Sequence, residues 1–423
     1  MSKKYIPKSF SLDRVILSHA GGELDLTPAY SNIEIEENLY NDSLRGKILV
    51  LDMNDSFNTI DFDGTETVVI DFQSPGQREI SVTLQIYRVE ITPDPNSGYG
   101  KIYELMGVSV EHYTQSTQDV NKGYTATVGE AVDDVFNFLN SDKKFDKHET
   151  SGVDTFIVPG MTPFEAMQML SRRAYSSRFP SSLFTFYETV EGFNFHNVEE
   201  IIYNEKSNPT TYMFTPTSNI SKDESTQFMI ENLEIDSNKD VMYRIKSGSY
   251  ANQVKEIDLI NQTINRDILL VKDNFGDFTH LDNEAMSYDS KEMIDRHLNV
   301  INSTKWIHNM NGNPMFSTNF LNLIPRRRFY YDSLQGVKVR IAVPGNSDLS
   351  VGKVINLDML ETTASTERKD QEQKITGNFL VTTVVHLISR KEYSCVVTMC
   401  KDSYRANVDN PEKNIVASGG VNG

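Results

Sequence analysis

Histidine and cysteine trade protons, bind metals and attack carbonyls most readily near neutral pH, so their spacing is the first test for chemistry. The eight histidines are His19, His112, His148, His196, His280, His297, His308 and His386, and no two stand at metal-ligand spacing. His386 sits in an apolar run and reads as a satisfied core or interface residue. Cys395 and Cys400 lie five apart on one predicted strand, so they point to opposite faces and cannot bridge within it. Two buried free thiols, made in a reducing compartment, are expected. No GxSxG, Walker A, HExxH or GxGxxG motif occurs. A glycosidase needs two carboxylates roughly 5–10 Å apart, and none of the 59 acidic residues is singled out as such a pair. The expectation is no enzyme, no catalytic residue, no metal and no cofactor.

Two further groupings could bind rather than react. Arg326, Arg327 and Arg328 precede Phe329-Tyr330-Tyr331, which interleaves cations and aromatic rings. Three cations are a poor nucleic-acid footprint in a chain of net charge −18. Pairing of these arginines with acidic surface, within or between subunits, is the better reading. Phe184, Phe186, Phe193 and Phe195 could form a stacking platform for bases or sugars. A hydrophobic hairpin packed on helices explains them more simply.

These residues need elements to hold them. A chain of 423 residues, 38% of them hydrophobic, can bury more than one core. No apolar run reaches the ~18 residues that span a bilayer, and the N-terminus has no apolar signal-like core, so no membrane anchor is expected. Residues 8–113 read as six strands separated by turn residues, the pattern of a sandwich or barrel. Residues 1–113 carry nine Lys or Arg against eighteen Asp or Glu, a net −9 and half of the chain's total. Residues 114–225 mix types. Thr127-x-x-Glu130 and Thr162-Pro163-x-Glu165 are capping boxes that predict two short helices, followed by the aromatic hairpin. A polar stretch over 204–225 marks a boundary. Strand patterns resume over 226–262 and again over 329–403. Between them, 263–328 reads as an insertion: 267–286 looks irregular, and Ser290 to Ser303 predicts a helix. Residues 404–423 read as a flexible tail.

Three segments, in order, resemble the baseplate hub proteins of contractile phage tails. They are YSNIEIEENLYNDSLRGKILVLDMND from Tyr30, with its Leu-x-Gly, MTPFEAMQMLSRRAYSSRFPSSLFTFYETVEGFNFHNVEEI from Met161, and LSVGKVINLDML with GNFLVTTVVHLISRKEYSCVVTMCKD from Leu349 and Gly377. The resemblance implies a mainly β protein with α+β portions: two antiparallel β-barrel tube domains, a mixed α/β domain and a helical insertion. It implies a homotrimeric ring of six barrels that joins the tail tube, or a tube initiator, to a central spike, with wedge proteins around it. DNA would pass through an acidic channel without specific binding. The protein would be made in the host cytoplasm and reside in the virion tail.

Under this resemblance, Glu34 and Glu36 are the channel-lining candidates, because strand alternation separates them from Ile33 and Ile35. Arg326, Arg327 and Arg328 become candidate intersubunit contacts. The polar insert Glu361 to Thr376 is longer than a minimal hairpin and is not explained by the resemblance. The rival readings are a tail-associated cell-wall hydrolase and a receptor-binding adhesin. No motif supports the first, and no fibrous repeat supports the second.

Overall fold

The computed structural model describes residues 8–94, 100–214, 228–236, 251–258, 262–286, 296–301, 320–359 and 375–405. Strands dominate these residues. One sheet unites both predicted β portions. Its strands run, edge to edge, Asn232–Asp236, Val337–Pro344, Tyr393–Lys401, Gly377–Ser389, Tyr30–Asn38, Arg45–Asp52, Lys101–Ser109, Glu79–Pro93, Thr67–Gln73, Ser11–His19 and Gly22–Asp25.

The two portions join where Gly377–Ser389 pairs antiparallel with Tyr30–Asn38, from Thr383 opposite Asn38 to Ser389 opposite Asn32. The same edge of Gly377–Ser389 pairs with Val354–Met359 over its first residues, Leu357 opposite Gly377 and Val354 opposite Leu380. A bulge between Val381 and Thr383 separates the two partners. Bulges bend strands, and here the bend lets one strand serve two neighbours. Thr210–Phe214 adds in parallel to Val354–Met359.

Alternation gives this sheet an inward face. Val15, Leu17, Ile33, Ile35, Ile48, Val50, Val68 and Ile70 from one portion meet Val339, Ile341, Val384, Ile388 and Val397 from the other in one core. Full burial of each such side chain contributes about 1.5–3 kcal/mol. Gly46 and Gly107 face each other across neighbouring strands beneath Leu84. A Cβ at Gly46 would land inside the Leu84 side chain, and one at Gly107 would lie 2.9 Å from Leu84 Cβ. That is the physical content of Leu44-x-Gly46: a side chain there forces Leu84 to shift.

The mixed portion has its own core. Helix Val128–Asn137 begins at Thr127 and helix Pro163–Arg173 at Thr162, each with both bonds of its capping box. Their apolar stripes, including Val132, Val135, Phe164, Met167 and Leu170, cover the hairpin Phe184–Thr189 and Gly192–Asn197. Phe184, Phe186, Phe193 and Phe195 are all buried in this core, so they are packing residues, not a stacking platform.

The structure departs from the sequence expectations in four places. Arg296–Ile301 is a strand, parallel to Ala251–Asp258, where a helix is expected from Ser290 to Ser303. Leu298 and Ile301 fit helical spacing, but pairing with a ready edge satisfies the backbone better. The 267–286 stretch opens with strand Thr263–Leu270, the hairpin partner of Ala251–Asp258. Residues 320–334 form a helix with Pro325 inside it, and strand resumes only at Val337. The polar boundary stretch contains Thr210–Phe214, which belongs to the large sheet. Residues 360–374 and 406–423, most of the long insert and the predicted tail, lie outside the described residues.

Candidate functional site

Glu34 and Glu36 point away from the core, half-exposed, on the outward face of the strand that joins the two β portions. They are not alone there. Glu34 stands opposite Lys47, and Glu36 stands opposite Arg45. Lys47 Nζ lies 2.7 Å from Glu104 on the next strand. Glu104 faces Glu90, which is paired to Arg88. Further out, Arg14 pairs with Asp71, and at the far end Glu234 stands opposite Arg340. On the strands between, Thr383, Val385, Leu387, Val396 and Thr398 present no charge. The outward face therefore mixes charges of both signs, most carboxylates having a cation opposite or beside them, with an uncharged band beside the joining strand. Asn32 donates to Glu34 over 3.1 Å and Asn38 to Glu36 over 3.4 Å, so each carboxylate also has a neutral partner on its own strand.

The arginine run is used differently along its length. Arg327 Nε donates to Ser182 O at 2.9 Å and Nη2 to Ala174 O at 2.7 Å, and Nη1 reaches Arg172 O. The Arg172 and Ala174 carbonyls terminate helix Pro163–Arg173, so Arg327 caps it from the insertion and meets the negative end of its dipole. Burial pulls the Arg327 guanidinium down to about 10. Arg328 Nε donates to Asp332 at 2.7 Å, one helical turn on. The acceptors of Arg327 are carbonyls rather than the expected carboxylates, and both residues are engaged inside the chain. Arg326 is half-exposed beside them.

Ser43 Oγ lies 3.1 Å from His112 Nδ1, and a second nucleophile–base contact, at Cys395, is inert by environment. Cys395 Sγ lies 3.5 Å from His386 Nδ1, which is 2.7 Å from Tyr393 Oη. Burial pushes the Cys395 thiol up to about 11 and His386 down to about 3. Both are held neutral and neither faces solvent. Cys400 is likewise buried, with its thiol raised to about 12. Among the described residues, no group of three or more His, Cys, Asp or Glu is placed to hold a metal. No helix among them is long and apolar enough to cross a membrane.

Buried charges instead tie the portions together. Glu37 is fully buried and accepts from Val190 N at 3.0 Å, Ser350 Oγ at 2.6 Å and Val351 N at 3.0 Å. Burial raises its pKa against those bonds. Lys143 Nζ reaches Glu111 at 2.6 Å and Glu188 at 2.7 Å, while Glu188 also accepts from Leu44 N at 2.9 Å. Burial opposes the Lys143 charge, but the two carboxylates win and raise its pKa. Lys401 pairs with Asp282 at 3.0 Å, and His280 Nδ1 lies 2.6 Å from Asp402. Burial alone would raise Asp402, yet the contact with His280 leaves it lowered. Sequence reasoning passed over all of these. Glu37 alone left a signal, since it occupies the inward register position that follows Ile33 and Ile35.

The architecture has known relatives. A tail protein from Neisseria meningitidis MC58 superposes with a TM-score of 0.54 at 12% identity, covering 93% of this chain and 97% of that one. The 43 kDa tail protein of prophage MuSo2 from Shewanella oneidensis superposes with a TM-score of 0.56 at 10% identity, covering 94% and 100%. No family model matches the chain, and no curated protein matches it in sequence. The chain shares its fold with these two tail proteins over nearly its whole length. It is mainly β.

Proposed function

We propose that this chain is the structural hub of a contractile phage tail baseplate. Three copies form a ring that joins the tail tube, or a tube initiator, to the central spike, with wedge proteins around it. The observation that carries this reading is the seam between Tyr30–Asn38 and Gly377–Ser389. It merges two β portions of one chain into a single wall, as a ring of three subunits imitating a six-fold tube requires. The full-length likeness to tail proteins supports it. In this reading the outward face carrying Glu34 and Glu36 lines the DNA passage, and Arg326 is the member of its run left for a neighbouring subunit. The hub is assembled in the host cytoplasm, ends in the virion and is not an enzyme. The buried, neutral state of Cys395 and His386 agrees with that.

Cyclic three-fold symmetry closes without forming filaments. The test is mass and shape: the purified protein should weigh about 144 kDa, three chains of 48.1 kDa, and give rings in negative stain. A stable monomer that stays monomeric with its spike protein would overturn the proposal.

A further inference from the structure

His148 and His196 stack face to face, ring centroids 4.1 Å apart and planes 14° from parallel. They stand on one wall of a cleft of about 290 Å³, and Ser350 to Lys353, from the other β portion, form the facing wall. His148 Nδ1 has two competing neighbours. The Asn197 backbone N–H donates to it over 3.1 Å, and Glu200 Oε2 lies 3.2 Å away. The first contact needs a bare nitrogen, so His148 is the Nε2–H tautomer when neutral. The second is satisfied only when Nδ1 carries a proton. Asn197 is the N-cap of helix Val198–Glu205, its side chain accepting from Glu199 N at 2.9 Å.

We propose that His148 is a proton-operated latch. On protonation it exchanges the Asn197 N–H for Glu200, releasing the start of helix Val198–Glu205 and loosening the mixed portion from Ser350 to Lys353. This goes beyond the hub reading and does not depend on it.

The surrounding charges set the direction. His196 already has partners for a proton, Tyr187 Oη at 3.1 Å from Nδ1 and Asp146 at 3.3 Å from Nε2. Its stacking on His148 means that the second proton meets the first. Burial, with Lys144 adding to it, disfavours charge on His196, and burial raises the Glu200 pKa, a rise that Arg178 only partly offsets. Glu149 opposes Arg178 there. On the cleft's other side Glu205 is paired to Lys353 at 3.3 Å, and Glu191 is paired to Arg78, so neither is free to neutralise an imidazolium. Burial, then the neighbouring imidazole, bring His148 down to about 4, against an ordinary value near 6.5. The opened state therefore binds the proton more readily, and acid favours opening.

The test is amide hydrogen exchange on the full chain, corrected for intrinsic rates. Protection of residues 197–205 should fall about tenfold for each pH unit between about 6 and 4. His148→Gln, which retains an acceptor but cannot titrate, should abolish the fall. Unchanged protection in the wild type, or a fall that persists in H148Q, would overturn the latch. Should H148Q fail to fold, nitrogen-15 spectra of the histidines in the wild-type chain decide. The Nε2–H tautomer of His148 at pH 7 supports the proposal, and the Nδ1–H tautomer rejects it.

Discussion

The Ser350 hydroxyl donates to Glu37 Oε2 over 2.6 Å, linking a strand of the first β portion to the loop between Val337–Pro344 and Val354–Met359 of the second. The other oxygen of Glu37 takes the Val190 N–H from the turn of the aromatic hairpin. One carboxylate, buried from solvent, thus fastens three parts of the chain. Removing it leaves three buried donors without an acceptor, each costing about 1–3 kcal/mol. Glu37→Ala should lose about 3 kcal/mol or more in urea denaturation, and Glu37→Gln, which keeps one acceptor oxygen, roughly half of that. A Glu37→Ala protein of wild-type stability would show that the junction is held by packing alone.

Leu84 covers both Gly46 and Gly107, so a side chain at either position forces Leu84 to shift. Gly46→Ala should cost about 1–3 kcal/mol by overpacking. Shortening Leu84 should return part of that cost. In a double-mutant cycle, Gly46→Ala with Leu84→Ala is expected to be less destabilised than the two single changes added together. Strict additivity would mean that the two sites do not share the space.

These two junctions show where the sequence was readable. The capping boxes at Thr127 and Thr162 are local, four residues long, and were visible at once. So was the alternation that separates Ile33 and Ile35 from Glu34 and Glu36. The Leu-x-Gly motif was visible, but its reason was not, because Leu84 arrives from a distant strand. Helix 320–334 was obscured because Pro325 and three arginines interrupt its apolar spacing. Lys401 with Asp282, and His280 with Asp402, leave no local trace. Each partner looks like an ordinary surface charge until the chain brings the other to it.

Ile35 and His386 face each other across the seam, both fully buried. Burial, with Arg78 adding to it, holds His386 down to about 3 when folded, whereas an unfolded histidine titrates near 6.5. The folded state refuses a proton that the unfolded state accepts. This contribution to stability is complete above about pH 6.5 and is lost as pH falls towards 3, at about 1.4 kcal/mol per unit. His386→Gln should remove that slope. Urea midpoints of the two proteins, compared at pH 7, 6 and 5, should converge on acidification. Parallel midpoints would place His386 outside the acid response.

Glu34 and Glu36 sit opposite Lys47 and Arg45, so their function, if this face lines the passage, is as much to mask cations as to repel phosphates. Neutralising them would leave Arg45 without its facing carboxylate and Lys47 with Glu104 alone, and affinity for nucleic acid rises with each cation free to meet a phosphate. Glu34→Gln with Glu36→Gln should change stability by no more than about 1 kcal/mol, because the pairs are exposed and screened. The same protein should retain DNA at low salt, with retention falling steeply as salt rises, and virions built with it should eject more slowly. Converting Lys47 and Arg45 to Gln as well should restore release, since the uncompensated cations would be gone. If the double variant binds no more DNA than the wild type and ejects at the same rate, the outward face of this sheet is not the surface that DNA passes.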